Sequence, residues 1–347
     1  TLSNNKVYFD SALGEVVSVS KNQLHAKVLD KQYDRRNVKV RYERVGGGIT
    51  HQPANLEVNI LDKWLMLKNI NYKHIYNFAK VNNGQFMIGL DYYGKLSLLK
   101  LDGGYFHSTG FRIQNSNILN NEIKSIVSDE NNLYVYNNSN SNFWKFNENT
   151  SDWTQKNNFP GTNRENLTHF TINNEVYMGF GRDSNTYYND IYKYSLTTDS
   201  WTKIASLPNN SSRNITTTFV INNIAYMIGG ATNATSKDNW AYNPQTDTWK
   251  KIADFPYAID GQSSFVLNGE GYVTCGKIVK GNSINEVWKY NPINDSWIKS
   301  ESIGTNVRYN HFSFILNNKA YVGGGIINNQ QNQTNLSGIG FYEYTPN

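Results

Sequence analysis

Apolar and polar positions alternate along most of this chain in short runs broken by Asn, Gly, Ser and Asp, the pattern of β-strands with one solvated face joined by turns. The alternation itself repeats. Trp153, Trp201, Trp249 and Trp297 are spaced 48 residues apart, each preceded by an aromatic nine positions earlier (Trp144, Tyr192, Trp240, Trp288) and another seven positions earlier (Phe146, Tyr194, Tyr242, Tyr290). Residues two apart on a strand share a face, so each escort pair predicts a strand, the polar stretch after it a turn, and the Trp the start of a second strand. Upstream of each escort lie two more apolar runs, joined by Asn-Asn or Asn-Gly, as in Phe170-Thr-Ile-Asn-Asn-Glu-Val-Tyr177 and Phe265-Val-Leu-Asn-Gly-Glu-Gly-Tyr272. Those dipeptides accept positive φ at both central positions, as a two-residue hairpin requires. A glycine pair or its relic follows: Gly179-Phe-Gly181, Gly229-Gly230, Cys275-Gly276, Gly323-Gly-Gly325. Each copy predicts a four-stranded antiparallel meander, and a period of this size predicts repeated sheets around a common axis.

Hairpin, double glycine, variable loop, aromatic strand, polar turn and Trp together resemble the kelch repeat. Four copies span 160–208, 209–256, 257–303 and 304–347, and weaker ones 114–159 and 71–113. The last copy stops at Phe341-Tyr-Glu-Tyr344, where its Trp strand is due, while an unclaimed Trp strand stands near the other end, Asp62-Lys-Trp64-Leu-Met-Leu-Lys-Asn69. The expected fold is all-β: a six-bladed kelch-type β-propeller over 61–347, closed by that N-terminal strand so that no sheet edge is left free.

The leading residues predict four strands at 7–10, 15–20, 24–29 and 38–45, followed by a linker over 47–60. Four strands fall short of a complete immunoglobulin-type sandwich. The segment 1–46 is similar to the second half of an IPT/TIG domain, an Ig-like module, without that family's opening glycine-rich motif, which implies a chain that begins mid-domain. A small β-cap on the propeller is the other reading.

Composition bounds the function. The 347 residues carry a net charge of +5, scattered rather than clustered; Arg35-Arg36 and Lys250-Lys251 are the densest basic spots, so a nucleic-acid-binding stripe is not expected. A single cysteine, Cys275, excludes an internal disulfide and a cysteine-based metal cluster. With no initiator Met, signal peptide or bilayer-length apolar run, the chain reads as processed or trimmed. No phosphate loop, dinucleotide fingerprint or nucleophile elbow is present. No metal or other cofactor is expected.

In an antiparallel meander the loop joining the second and third strands shares a side with the connector into the next blade. Those loops vary from copy to copy, whereas the turns on the opposite side barely do, and variable loops on a rigid scaffold concentrate binding residues. The connectors offer Tyr72, His74, Arg164, His169, Arg213, Asp260, Arg308 and His311; the loops offer Tyr92, Arg182, Tyr187, Tyr188, Lys237 and Lys277. Arg and Tyr around a channel mouth suit a polar, hydroxyl-rich or carboxylate-bearing ligand. An Ig-like module joined to a kelch-type propeller resembles cell-surface proteins of Bacteroidota that bind glycans or sit on outer-membrane complexes. The resemblance therefore implies an exported, non-catalytic binding or scaffold protein, with a protein of the outer membrane or a glycan as partner. The enzymatic alternative is a kelch enzyme similar to the sialic acid mutarotases. It would need Arg and Glu in one site, yet Arg164-Glu165 are adjacent on a strand and point to opposite faces.

Overall fold

The structure is a computed structural model that describes residues 5–9, 12–19, 24–28, 40–44, 64–67, 72–81, 84–91, 96–102, 105–108, 123–129, 131–147, 150, 152–208, 211–232, 234–278, 283–300, 302–303, 307–327, 336–337 and 341–344. It divides into two compact units, Thr1–Leu65 and Met66–Asn347. The first holds one antiparallel sheet, in the order Leu24–Val28, Ala12–Val19, Asn5–Phe9, Val40–Arg44. The strands fall where the alternation placed them. An Ig-like fold packs two sheets face to face; one sheet lies among the described residues of this unit, and the rest of the segment read as Ig-like lies outside them.

The second unit is a β-propeller. Its innermost strands are Tyr72–Val81, Ile123–Ser128, Thr168–Ile172, Thr217–Ile221, Ser263–Leu267 and Phe312–Leu316. Each touches the next, and the last touches the first, which closes the ring. Complete four-stranded meanders of contiguous chain number five, covering 72–108, 123–156, 168–203, 217–252 and 263–299. This corrects the expectation of six blades. The final repeat supplies only three strands, Phe312–Leu316, Lys319–Gly323 and Phe341–Tyr344, and the strand outermost on that sheet, Trp64–Leu67, lies across the division between the units. The physical reason is that the final repeat contributes three strands to its sheet rather than four.

Register explains the aromatic spacing. The escort seven residues before each Trp is that Trp's cross-strand partner: Phe146 faces Trp153, Tyr194 faces Trp201, Tyr242 faces Trp249 and Tyr290 faces Trp297, with ring centroids 4.9–5.0 Å apart. The hairpin aromatics pair likewise, Phe170 stacking on Tyr177 and Phe219 on Tyr226 at 4.9 and 5.2 Å. Tyr177 then meets Tyr242 of the next blade at 5.7 Å, and Tyr226 meets Tyr290 at 5.2 Å, so the core lies between blades. The hairpin turns take the expected positive φ, at Asn173 and Asn174, Asn222 and Asn223, Asn268 and Gly269, and Asn317 and Asn318.

A second repeated device joins blades. The hydroxyls of Tyr194, Tyr242 and Tyr290 donate to Asp199, Asp247 and Asp295 at 2.8, 2.9 and 2.7 Å. The same carboxylate oxygens accept the backbone N–H of Asn157, Ala205 and Ala253 in the preceding repeat. Beside them the indole N–H of Trp201, Trp249 and Trp297 donates to the carbonyl of that same residue, at 2.8–3.1 Å. Burial first, and the neighbouring carboxylate second, push all three tyrosine hydroxyls well above their ordinary pKa.

Candidate functional site

The glycine pair positions the loop face. Gly181, Gly230, Gly276 and Gly325 all have positive φ, and a Cβ on them would fall 2.6, 2.8, 3.1 and 2.5 Å from the carbonyl oxygens of Glu165, Asn214, Asp260 and Tyr309. Those four carbonyls occupy one repeat position, in the connector entering each blade. The close approach lets each connector pair with the residue after the glycines: Glu165 with Arg182, Asn214 with Ala231, Asp260 with Lys277, Tyr309 with Ile326. Four consecutive repeats therefore carry a short upper tier of pairing above the main blade. Phe180 stands where two of the other repeats have the first glycine of the pair, Gly229 and Gly324, and the third has Cys275. It adopts φ +53° and is fully buried against Trp249, at 5.9 Å.

The upper tier sorts the predicted site residues into two groups. Arg164, Arg213 and Arg308 share one repeat position and all turn inward, each at most 8% exposed. Arg164 makes a bidentate ion pair with Asp190 (2.5 and 3.1 Å), donates to the carbonyls of Thr162 and Phe180, and stacks over Tyr188 at 3.7 Å. Arg213 pairs with Asp238 at 3.3 Å. Arg308 donates to Gly324 O at 2.9 Å and lies 5.1 Å over Tyr342. Burial raises the Asp190 carboxyl, but the hydrogen bond and charge of Arg164 outweigh it and leave its pKa below the ordinary value. These arginines brace the tier from within.

The second group stays at the surface. Arg182 reaches Glu165 at 3.1 Å with both side chains about two-fifths exposed. Tyr187 is half-buried, and Tyr188, also half-buried, donates to Asp183 at 2.6 Å. Lys237 is exposed and pairs with Asp254 at 3.2 Å. Asp260 and Lys277 face each other across the tier, and the Lys277 ammonium lies 5.7 Å over the Tyr309 ring. Burial raises the Asp260 carboxyl, against the opposing pull of Lys277. Arg164 and Glu165 diverge as their adjacency dictates, one to Asp190 and the other to Arg182. The backbones of Tyr72 and His74 belong to Tyr72–Val81, but their side chains, and the whole of Tyr92, lie outside the described residues.

His169 and His311 sit lower, on an open cavity of about 460 Å³ lined by the inner strands. Burial drives His169 down to about 4; burial, then the Arg308 charge, drives His311 to about 3 against the opposing influence of the Thr274 and Gly261 backbone. Both are neutral imidazoles at pH 7. Nine of the nineteen residues lining this cavity are Ser or Thr. None of these nine was anticipated, although Thr218, Ser264 and Ser313 recur at one position of successive inner strands, a period visible in the sequence. Among the described residues no group of three His, Cys, Asp or Glu is placed to hold a metal ion, and no helix is long and apolar enough to cross a membrane.

Residues 176–347, just under half of the chain, match the family described as the Attractin/LZTR1 beta-propeller. Among solved structures the chain is similar to one described as "Structure of YjhT", at 20% sequence identity and a TM-score of 0.51, covering 58% of this chain and 71% of that one. At that identity the likeness speaks for the fold alone. No curated protein matches the chain. The repeats, the register and these comparisons agree on a kelch-type β-propeller, a fold that serves as a platform for binding.

Proposed function

We propose that this chain is an exported, non-catalytic cell-surface binding protein whose loop face contacts a protein of the outer membrane or cell surface. One observation carries the reading: in four consecutive repeats the connector pairs with the variable loop, so the loop face is braced before any partner arrives. A preorganised rim loses little entropy on association. Arg182, Tyr187 and Tyr188, displayed on it, are the residue types that dominate protein interfaces. A mutarotase-like activity finds no support in the placement of Arg164 and Glu165, which do not share a space.

The test is affinity capture from native membranes, comparing the unaltered chain with Arg182→Glu/Tyr187→Ala on the rim and Lys193→Ala on a blade surface away from it. A surface protein recovered in stoichiometric amount with the unaltered chain and Lys193→Ala, and lost with the rim variant, is the expected result. Recovery that ignores the rim variant would sink the assignment of the face. A chain that captures nothing would sink the scaffold reading.

A further inference from the structure

The cavity ringed by the inner strands differs in chemistry from the rim. The nineteen described residues that line it include no Asp, Glu, Lys or Arg. The three arginines that would have charged the channel are spent inside the blades, and the two histidines on its wall are neutral.

Several of its hydroxyl protons are also committed. Thr218 donates to His169 O at 2.7 Å, Ser264 to Thr218 O at 2.8 Å and Ser313 to Ser264 O at 2.6 Å, each reaching the preceding inner strand; Thr171 donates to Ser128 O in the same way. Because the Ser264 proton goes to Thr218 O, the 2.7 Å contact between Thr217 and Ser264 must be donated by Thr217. Lone pairs are what these oxygens still have to offer. Two more polar groups stand beside them, Gln262 Oε1 as an acceptor and the Ser263 hydroxyl as acceptor and donor. Gln262 is held by its amide N–H to Ile228 O at 2.7 Å, and its Oε1 has no partner, nor has Ser263 Oγ, on residues more than nine-tenths buried.

We infer that this cavity binds a neutral, donor-rich polyol, of the size and chemistry of a simple sugar. A wall made largely of acceptors, with no cation among its described residues, holds carboxylates and phosphates poorly, and a wall with no carboxylate among them does not compensate an ammonium for its lost water. A polyol matches the wall by donating, and the half-buried ring of Phe312 offers an apolar surface to its C–H face. The volume lies within the ordinary range for small-ligand sites, about 300–1,000 Å³. This site is separate from the rim and does not depend on the protein partner proposed above.

The experiment is calorimetric titration of the intact chain with glucose, galactose and myo-inositol, and with glucuronate and glucosamine as charged counterparts of similar size. Two variants accompany it, Ser263→Ala, which breaks no hydrogen bond within the protein, and Ala79→Leu, which narrows the cavity. Expected are saturable binding of at least one neutral probe, no binding of the charged ones, an unchanged melting temperature for Ser263→Ala with affinity about five- to tenfold weaker, and loss of binding in Ala79→Leu. If Ala79→Leu does not fold, Ser263→Ala alone decides. Charged probes binding as well as neutral ones, no neutral probe binding, or affinity untouched by Ser263→Ala would each overturn the inference.

Discussion

At the scale of single residues, a few polar groups hold the repeat together more tightly than their number suggests. Asp247 accepts from the Tyr242 hydroxyl and from the Ala205 N–H, and its backbone sits at φ +49°. Tyr242→Phe removes one hydrogen bond and leaves Asp247 its other partner, so the expected loss is about 1 kcal/mol. Asp247→Ala strands a buried hydroxyl and a backbone N–H and places Ala in left-handed backbone, for an expected loss of about 2–4 kcal/mol. Denaturant midpoints of the two variants check the order. Equal losses would mean that the carboxylate's link to the preceding blade contributes nothing. The three aspartates recur 48 residues apart just as the tryptophans do, so their importance was open to a reader of the sequence. Their role was not, because the partner that each one holds lies 42 residues upstream on another blade.

At the scale of elements, the strands, the hairpins and the repeat were legible because register and turn chemistry are local properties. Asn-Asn marks a turn wherever it stands between two alternating runs, and an aromatic seven residues before a Trp must face it if the turn between them is tight. The glycine pair was legible as punctuation but not as cause. What demands the second glycine is a carbonyl from a connector some sixteen residues earlier, pressed against the position where a side chain would begin. Gly230→Ala is therefore expected to cost about 2–4 kcal/mol, combining positive φ with a 2.8 Å approach to Asn214 O. Gly269→Ala, at a hairpin tip with nothing within 4 Å, pays for backbone conformation alone, about 1 kcal/mol. Thermal unfolding of the two variants is the measurement, and comparable losses would refute the close-approach account. Arg164, Arg213 and Arg308 were misleading at this scale for a related reason. Their shared repeat position was visible, but whether a connector arginine turns into the channel or back under its own tier depends on acids such as Asp190 and Asp238, which stand 26 and 25 residues away.

At the scale of the whole molecule, closure sets two uncharged imidazoles, His311 buried and His169 half-buried, on the inner wall, and this sets a pH dependence. Their folded pKa values, about 4 and about 3, lie below the ordinary 6.5. The unfolded chain therefore binds protons first as pH falls, so their stability contribution is full above about pH 6.5 and is lost progressively below it. The slope is at most about 1.4 kcal/mol per pH unit per histidine. Asp190 and Asp199, whose pKa values are depressed, add a further loss only below about pH 4. Melting temperatures between pH 7.5 and 5 are expected to fall, and His311→Gln to flatten that fall by roughly half. A flat profile for the unaltered chain over this interval would show that the two rings are solvated. The blade count belongs to this scale too. Each copy was readable in isolation, but the last sheet draws three strands from the final repeat, so the number of contiguous four-stranded blades is a property of the ring and not of any one copy.

The Tyr–Asp–Trp contacts all run in one direction, each of three successive blades reaching back to grip the one before it. A unit built this way carries both hook and eye, so any copy fits behind any other without a new interface being invented. Copy number is then free of copy chemistry: duplication or deletion of a repeat leaves every remaining joint intact, and only the curvature needed to bring the last unit round to the first limits how many there can be.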